Sequence, residues 1–591
     1  LRLAIHQPLS LQQKSPTPDM AFEVKCEPSS VSKKRLSVPH GSVRVAARAI
    51  LASGPLTADA RIDICRSIFE GRSEWLAPWT QEEVGTLSEA DRAYRISALY
   101  MLLMPPTRRQ KLAAYFTPPH LCEHVLNRLE AHGWRPGHST LLDPASGGAA
   151  FLVPAAYRIR DAEESNQLSG GELIAHVRSR LFGVEIEPGL RTLSEMLLGA
   201  VFHEALAAAQ EVGLNVVVRR NALKLPPPQN AFDAVVSNPP YGRVFHASPT
   251  LRARWSAVIS DGHLNTYALF IALALEQVAA NGLVAVIVPT SFLSGPYFRN
   301  LRSHILAQAE ILELNIVEKR SDVFIDVVQD TCVLVLRRKG SDPDRTVRPM
   351  AGALLANGTL STLGVLDVPK SGDRAWALPS QSGRDPITLF NEGGSDLSSY
   401  GYRAKTGYFV WNRSRDLLSE RPEPLEGEVP LVWAHNISHG QVVTPKSRPS
   451  TQVLGQESVS FVRVPSNSSA IQRGPAIVFQ RTTNRSQSRR LIGGLIAQPV
   501  IDKYGGYVTE NHTIVVAADP SKPQLIGLEI LLSILNSPAV DRAYRRLSGT
   551  VSVSTRVLQH LSLPNANRIL ELLDSGLSVD DAVERAYQMD G

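Results

Sequence analysis

Thr140-Leu141-Leu142-Asp143-Pro144-Ala145-Ser146-Gly147-Gly148-Ala149-Ala150-Phe151 is the stretch that decides the fold class. Residues 140–142 read as a short apolar strand, 144–149 as a turn of small side chains, and 150–159 as the start of a helix with an apolar face. Small residues let the main chain turn tightly and approach a ligand closely, and the helix that follows offers unpaired N–H groups. In an open α/β sheet, nucleoside cofactors bind at such turns, beyond the carboxyl ends of the strands. A plain strand-to-helix turn has the same composition, so this stretch takes its meaning from what surrounds it.

Outward from that turn, residues 181–186, 231–237, 283–288 and 331–336 are further apolar, β-branched runs, separated by amphipathic stretches. Strands alternating with helices predict a parallel α/β sheet over residues 111–345. Upstream, Val45, Ala46, Ile50 and Leu51, then Tyr94, Ile96, Leu99 and Leu102, recur at helical spacing and predict a helical N-terminal extension over 39–110. Residues 1–38 are polar and rich in Pro and Ser and are expected to be disordered; the chain begins at Leu1, with Met20 available as an internal start. After residue 345, Pro, Gly, Ser and Asn become frequent and strands shorten, which predicts a separate α+β domain over 346–565 and a tail over 566–591.

Composition narrows the function. A chain of 591 residues is too long for one core. A mean hydropathy of −0.07, with no apolar run long enough to cross a bilayer, excludes a helical membrane protein and leaves no membrane partner expected. The four cysteines form no C-x-x-C pair, so neither a disulfide framework nor a metal site is expected, and a reducing cytoplasm fits. The net charge of +6 is concentrated late: residues 430–556 hold 14 Lys and Arg against 6 Asp and Glu, which points to a polyanionic partner.

Two more constellations carry chemistry. Glu185, in Phe182-Gly183-Val184-Glu185-Ile186, ends the strand after the glycine turn, where a carboxylate can accept from both hydroxyls of a ribose. Asp233-Ala234-Val235-Val236-Ser237-Asn238-Pro239-Pro240-Tyr241-Gly242 is more specific. Two successive prolines remove two main-chain donors and leave the Pro239 carbonyl available. Asn238 adds a side-chain oxygen beside it. Two adjacent acceptors suit an amino group that donates two hydrogen bonds, and Tyr241 offers a flat face for a planar base or amide.

Together these residues resemble the γ-class amino-methyltransferases of DNA, in particular the TaqI-like type II enzymes. Tyr115-Phe116-Thr117-Pro118-Pro119 resembles the family's motif X, Asp143 to Phe151 its motif I, Glu185 motif II, and Asn238 to Tyr241 the catalytic motif IV. Val323-Phe324 resembles motif VIII. Ala149 departs from the family's second glycine, and Asn221 stands near the position of its motif III acid. The resemblance implies a Rossmann-like domain that uses S-adenosyl-L-methionine, followed by a target-recognition domain. It places Tyr115, Thr117, Pro118, Asp143, Ala145, Gly147, Phe151, Glu185, Asn221 and Asn238 around the cofactor, and Asn238, Pro239, Pro240, Tyr241 and Phe324 around an adenine extruded from double-stranded DNA. N4-cytosine transfer, and transfer to a protein glutamine or to RNA, are the alternatives. The implied partners are double-stranded DNA and a restriction endonuclease encoded separately, with a monomeric, cytoplasmic, bacterial enzyme expected. Within the second domain, the acid-free run from Arg473 to Arg490, with Arg481, Asn484, Arg485 and Arg489, is the expected DNA reader, since Arg pairs with guanine and Asn with adenine.

Overall fold

The structure, a computed structural model, describes residues 24–25, 41–72, 89–112, 117–164, 168–244, 247–259, 264–317, 331–340, 347–355, 358–366, 368–372, 375–376, 378–379, 395–448, 458–482, 489–547 and 553–590. β1 (Val24–Lys25) is a two-residue strand. Among the described residues four helices follow: Gly41–Leu51, Ala58–Phe69, Glu89–Leu103 and Pro106–Leu112. The Thr57 hydroxyl caps the second by accepting from the Ala60 N–H at 3.2 Å. Their apolar stripes, among them Val43, Ile50, Cys65, Ile68, Ile96 and Leu99, are buried in the same core as the sheet that follows.

That sheet has nine strands: β2 (Leu141–Asp143), β3 (Leu181–Glu185), β4 (Val217–Arg219), β5 (Phe232–Ser237), β7 (Val278–Pro289), β8 (Ala309–Val317), β9 (Thr331–Arg338), β10 (Met350–Leu354) and β11 (Leu360–Val365). β6 (Arg243–Val244) lies apart, antiparallel to β1. The spatial order is β11-β10-β8-β9-β7-β5-β2-β3-β4. From β4 through β7 neighbouring strands are parallel, and β9 inserts antiparallel between β7 and β8. Val284 to Val288 are fully buried, the continuous apolar run expected of a strand covered on both faces. Chain order reverses at β2: β3 and β4 lie on one side of it, β5 on the other. The crevice beyond the carboxyl ends of β2 and β5 is therefore the topological switch point, where open α/β sheets hold ligands.

Two expected boundaries shift. The sheet does not stop at 345, because β10 adds to it parallel to β8, and β11 folds back on β10. Leu354, Leu366 and Trp376 belong to the same core. The rise in Pro and Gly marks connections there, not a domain border.

The second body begins near Ser395, which bridges to Leu563. It holds two four-stranded sheets. β12 (Tyr402–Thr406), β19 (Thr513–Ala518), β16 (Ala476–Gln480) and β17 (Gly493–Ile496) form one; β13 (Leu418–Arg421), β15 (Val459–Arg463), β14 (Glu428–Val432) and β18 (Val508–Thr509) form the other. The expected tail is integral to this body. Helices Ala566–Asp574 and Val579–Asp590 bury Ile569, Val583, Ala586 and Tyr587 in the core that contains Tyr402, Phe479 and Leu531. The Tyr587 hydroxyl donates to the Ser562 carbonyl at 2.7 Å.

Candidate active site

β2 and β3 pair in parallel, with Asp143 opposite Gly183, so their terminal carboxyls emerge side by side at the switch point. Asp143 is 1% exposed, and burial pushes its carboxyl up to about 7, against the opposing pull of the Ala145 N–H donating to Oδ1 at 3.0 Å. Burial likewise pushes Glu185 up to about 8; its Oε1 accepts from the Glu187 N–H at 2.7 Å and its Oε2 from the Gly147 N–H at 2.8 Å. The two carboxyls thus shape the glycine turn itself. A carboxylate offers about four acceptor positions, so each retains capacity for a ligand hydroxyl.

The turn is tied down all round. The Ser146 N–H donates to the Val184 carbonyl, the Ser194 hydroxyl to Gly147, and the Ser97 hydroxyl, from helix Glu89–Leu103, to Gly148. Gly147 has φ +55°, and the space where a Cβ would project is open, so a ligand can approach the main chain there. Ala149 has φ +59° and is fully buried. Left-handed backbone costs a residue with a Cβ about 1–2 kcal/mol, which is the physical reason a glycine is usual at this point. Glu187 anchors the N-terminal helices to the site: it ion-pairs with Arg108 at 3.0 Å and accepts from the Tyr100 hydroxyl at 3.3 Å. A Cβ on Gly189 would fall 1.8 Å from that hydroxyl, so a side chain is excluded there.

Beside the turn lies a small cleft lined by Tyr94, Ser97, Thr117, Cys122, Gly148 and Ala149 among others. Tyr94, Ser97 and Cys122 were not picked out from the sequence as site residues; of the three, only Tyr94 was read at all for its place, as part of a helical stripe. Ile186 was also missed. It is 51% exposed directly after Glu185, an apolar surface available to a flat ring.

β5 ends at Ser237 and delivers Asn238 to the other side of the crevice. The Asn238 Nδ2 donates to the Thr117 hydroxyl at 2.9 Å, and its Oδ1 lies 2.5 Å from the Tyr241 hydroxyl, which also reaches the Ile287 carbonyl at 3.1 Å. Among the described residues nothing donates to the Pro239 carbonyl. Gly242 fixes the end of the segment by accepting from the Thr266 N–H at 2.8 Å. Thr117 is common to both halves: it lines the cleft beside the glycine turn and holds the Asn238 carboxamide.

Several expected side chains are placed differently. Tyr241 is 7% exposed and meets Tyr267 edge to face at 6.4 Å, so its ring is packed against protein and not open for stacking. Phe151 is 1% exposed in the core, beneath the turn. The Asn221 Oδ1 accepts from the Leu223 and Lys224 N–H groups at 3.0 and 3.3 Å, so its acceptor caps its own turn. Pro118 is buried and starts helix Pro119–Ala131, and Ala145 is half-buried in the turn. Tyr115 and Phe324 lie outside the described residues, as do Asn484 and Arg485. The arginines flanking that last segment are anchors: Arg481 donates to the Asn511 carbonyl at 3.0 Å, Arg489 to the Asn536 carbonyl, Arg473 to the Ser466 carbonyl, and the Arg490 main chain to Asp541. Each of these three guanidiniums gives a donor to a main-chain carbonyl, a structural tie that composition does not announce.

The residues present fit S-adenosyl-L-methionine. Two buried carboxyls at adjacent strand ends provide acceptors for ribose hydroxyls, and the open approach to the Gly147 main chain lets a cofactor come close to the turn. Among the described residues, no group of His, Cys, Asp or Glu is placed to hold a metal ion.

Residues 99–350 match the model of the N-6 DNA methylase family. The chain is 24% identical over 378 residues to the type II methyltransferase M.PstI of Providencia stuartii, covering 61% of this chain and 71% of that one. It is 24% identical over 383 residues to the type II methyltransferase M.BsuBI of Bacillus subtilis, covering 61% and 70%. Its fold is similar to that of the type IIL restriction-modification enzyme MmeI in complex with DNA, with a TM-score of 0.51 at 14% identity, over 84% of this chain and 77% of that one. Over residues 99–350 the chain is therefore similar to the N-6 DNA methylase family.

Proposed function

We propose that the chain methylates the N6 amino group of an adenine extruded from duplex DNA, as the modification enzyme of a restriction-modification system whose endonuclease is a separate protein. The observation that carries this reading is the pair of acceptors at the end of β5, the Asn238 Oδ1 and the Pro239 carbonyl, across the switch point from the cofactor turn. An exocyclic amino group donates two hydrogen bonds. Asn238 and Pro239 accept both, draw the N6 hydrogens aside and leave the nitrogen lone pair aimed toward the cleft. A carboxamide oxygen has two lone pairs, so the Tyr241 hydroxyl does not exhaust it. Pro240 keeps the segment rigid and contributes no donor to compete. When bound, S-adenosyl-L-methionine supplies the electrophilic methyl group. The site needs no metal, and the enzyme acts as a monomer on double-stranded DNA. No helix among the described residues is long and apolar enough to cross a membrane.

Asn238→Ala tests this directly. The substitution removes an acceptor that acts on the reacting amino group, so methyl transfer should fall by about 10²–10³ while cofactor affinity holds. A variant within about threefold of wild type would remove Asn238 from the chemistry.

A further inference from the structure

We infer that the end of β12 and the loop that follows it, residues 405–415, form a DNA-contacting surface of the second body, an inference that rests on the reading of the chain as a DNA methyltransferase. Its sequence, Lys405-Thr406-Gly407-Tyr408-Phe409-Val410-Trp411-Asn412-Arg413-Ser414-Arg415, holds three cations and no acid. Tyr408 is 64% exposed, although its neighbour Phe409 is 3% exposed in a core. That exposure is built. The Gly407 N–H donates to Thr513, the Phe409 N–H to Thr509, and the Phe409 carbonyl accepts from Asn511. A Cβ on Gly407 would lie 1.9 Å from the Glu510 carbonyl oxygen, so only glycine permits this close approach. The main chain is clamped with one aromatic ring turned inward and the next turned out into solvent.

The cations are placed to match. The Arg415 guanidinium lies 5.0 Å over the Trp411 ring. Face-on stacking fixes the group and leaves its in-plane N–H donors pointing away, the arrangement that suits phosphate oxygens. Trp411 is held in turn by Arg448, which sits 4.5 Å from it and 5.1 Å from Trp433. Lys405, Arg413 and Arg415 are exposed, and among the described residues none is ion-paired. A bonded pair of threonine hydroxyls, Thr406 and Thr555 at 2.7 Å, brings the exposed Arg556 to the same end. The carboxyl ends of β12 and β16 and the start of β19 share that end of the sheet. Solvated cations alone would not need an exposed tyrosine on a clamped main chain beside them. Unpaired cations on one segment with an exposed aromatic are the chemistry of a nucleic-acid backbone with a sugar or an unstacked base beside it.

The test measures binding of the full chain to duplex DNA by fluorescence anisotropy at several salt concentrations, with cofactor binding followed in parallel. Arg413→Ala, Arg415→Ala and Lys405→Ala should each weaken binding to all sequences and lower the salt slope by about one. Tyr408→Ala should weaken binding by about five- to a hundredfold. Cofactor affinity should be unchanged in every variant. Wild type that binds and methylates DNA, with all four variants matching its affinity and slope, would overturn this surface alone. Wild type that neither binds nor methylates DNA would overturn the surface and the DNA reading together.

Discussion

Asn238 is held from two directions, and the hold from Thr117 has a measurable consequence. The hydroxyl accepts from the carboxamide Nδ2, which fixes the way the amide is turned. Thr117→Val keeps the shape and removes the acceptor, so the amide loses its preferred orientation. The rate of transfer should drop about tenfold, with DNA and cofactor affinities within twofold of wild type, and Thr117→Ser should restore it. Equal losses in the Ser and Val variants would mean that Thr117 acts by packing. The buried carboxyls give a second test. Asp143 near 7 and Glu185 near 8 carry protons in part of the neutral range, whereas accepting from ribose hydroxyls favours their charged forms. Cofactor binding should therefore release protons, and affinity should rise with pH through this window, by at most about tenfold per pH unit for each proton released. Calorimetry in buffers of different ionisation enthalpy reads that release; affinity that falls with rising pH would contradict it. At this scale Asp143, Glu185 and Asn238 were legible in the sequence, because each ends a strand in a stretch whose turn chemistry is local. The Thr117–Asn238 bond joins residues 121 positions apart, and no local pattern announces it.

Elements show where local reading reaches its limit. The apolar runs that became β3, β5, β7 and β9 were plain, because strands covered on both faces need nearly every residue apolar. β8 was missed: its sequence, Ala309–Val317, carries Glu310, Glu313 and Asn315. The structure shows why an acid is tolerated there. Glu313 is 5% exposed and paired with Arg128 and His132, and it accepts from Asn315 at 2.9 Å. Burial works against its charge, but the bonds from His132, Arg128 and Asn315 prevail and hold the carboxyl at about 2. A carboxyl depressed below its unfolded value stabilises the fold above about pH 4.5, and that stability is lost as pH falls toward 2. Glu313→Gln should cost about 3 kcal/mol at neutral pH, at the low end for a buried pair because Arg128 keeps part of its hydration, and should flatten the acid limb of the stability curve. An unchanged denaturation midpoint would show the pair to be dispensable. The basic run past Arg473 shows the converse limit: composition cannot tell an arginine aimed at phosphate from one donating to a neighbouring carbonyl. Arg481→Ala should therefore lower the melting temperature, by the equivalent of about 1–3 kcal/mol, and leave the salt slope of DNA binding intact.

At the scale of the molecule, composition separated two bodies but put their borders in the wrong places, because chain texture follows loops and a core follows burial. The C-terminal helices illustrate this. Removing residues 566–591 would strip Ile569, Val583 and Tyr587 from the second core, at about 1.5–3 kcal/mol for each large apolar side chain. The truncated chain should lose its second cooperative unfolding transition in calorimetry, and a truncation with both transitions intact would make the tail an appendage after all. In the function proposed above, the second body presents duplex DNA and the first methylates an adenine drawn from it. Digesting DNA incubated with the protein and S-adenosyl-L-methionine to nucleosides, with mass spectrometry of the products, tests that claim most directly. N6-methyladenine as the methylated nucleoside, absent when Asn238→Ala replaces wild type, is the predicted result; N4-methylcytosine, or DNA left unmethylated by wild type, would contradict it.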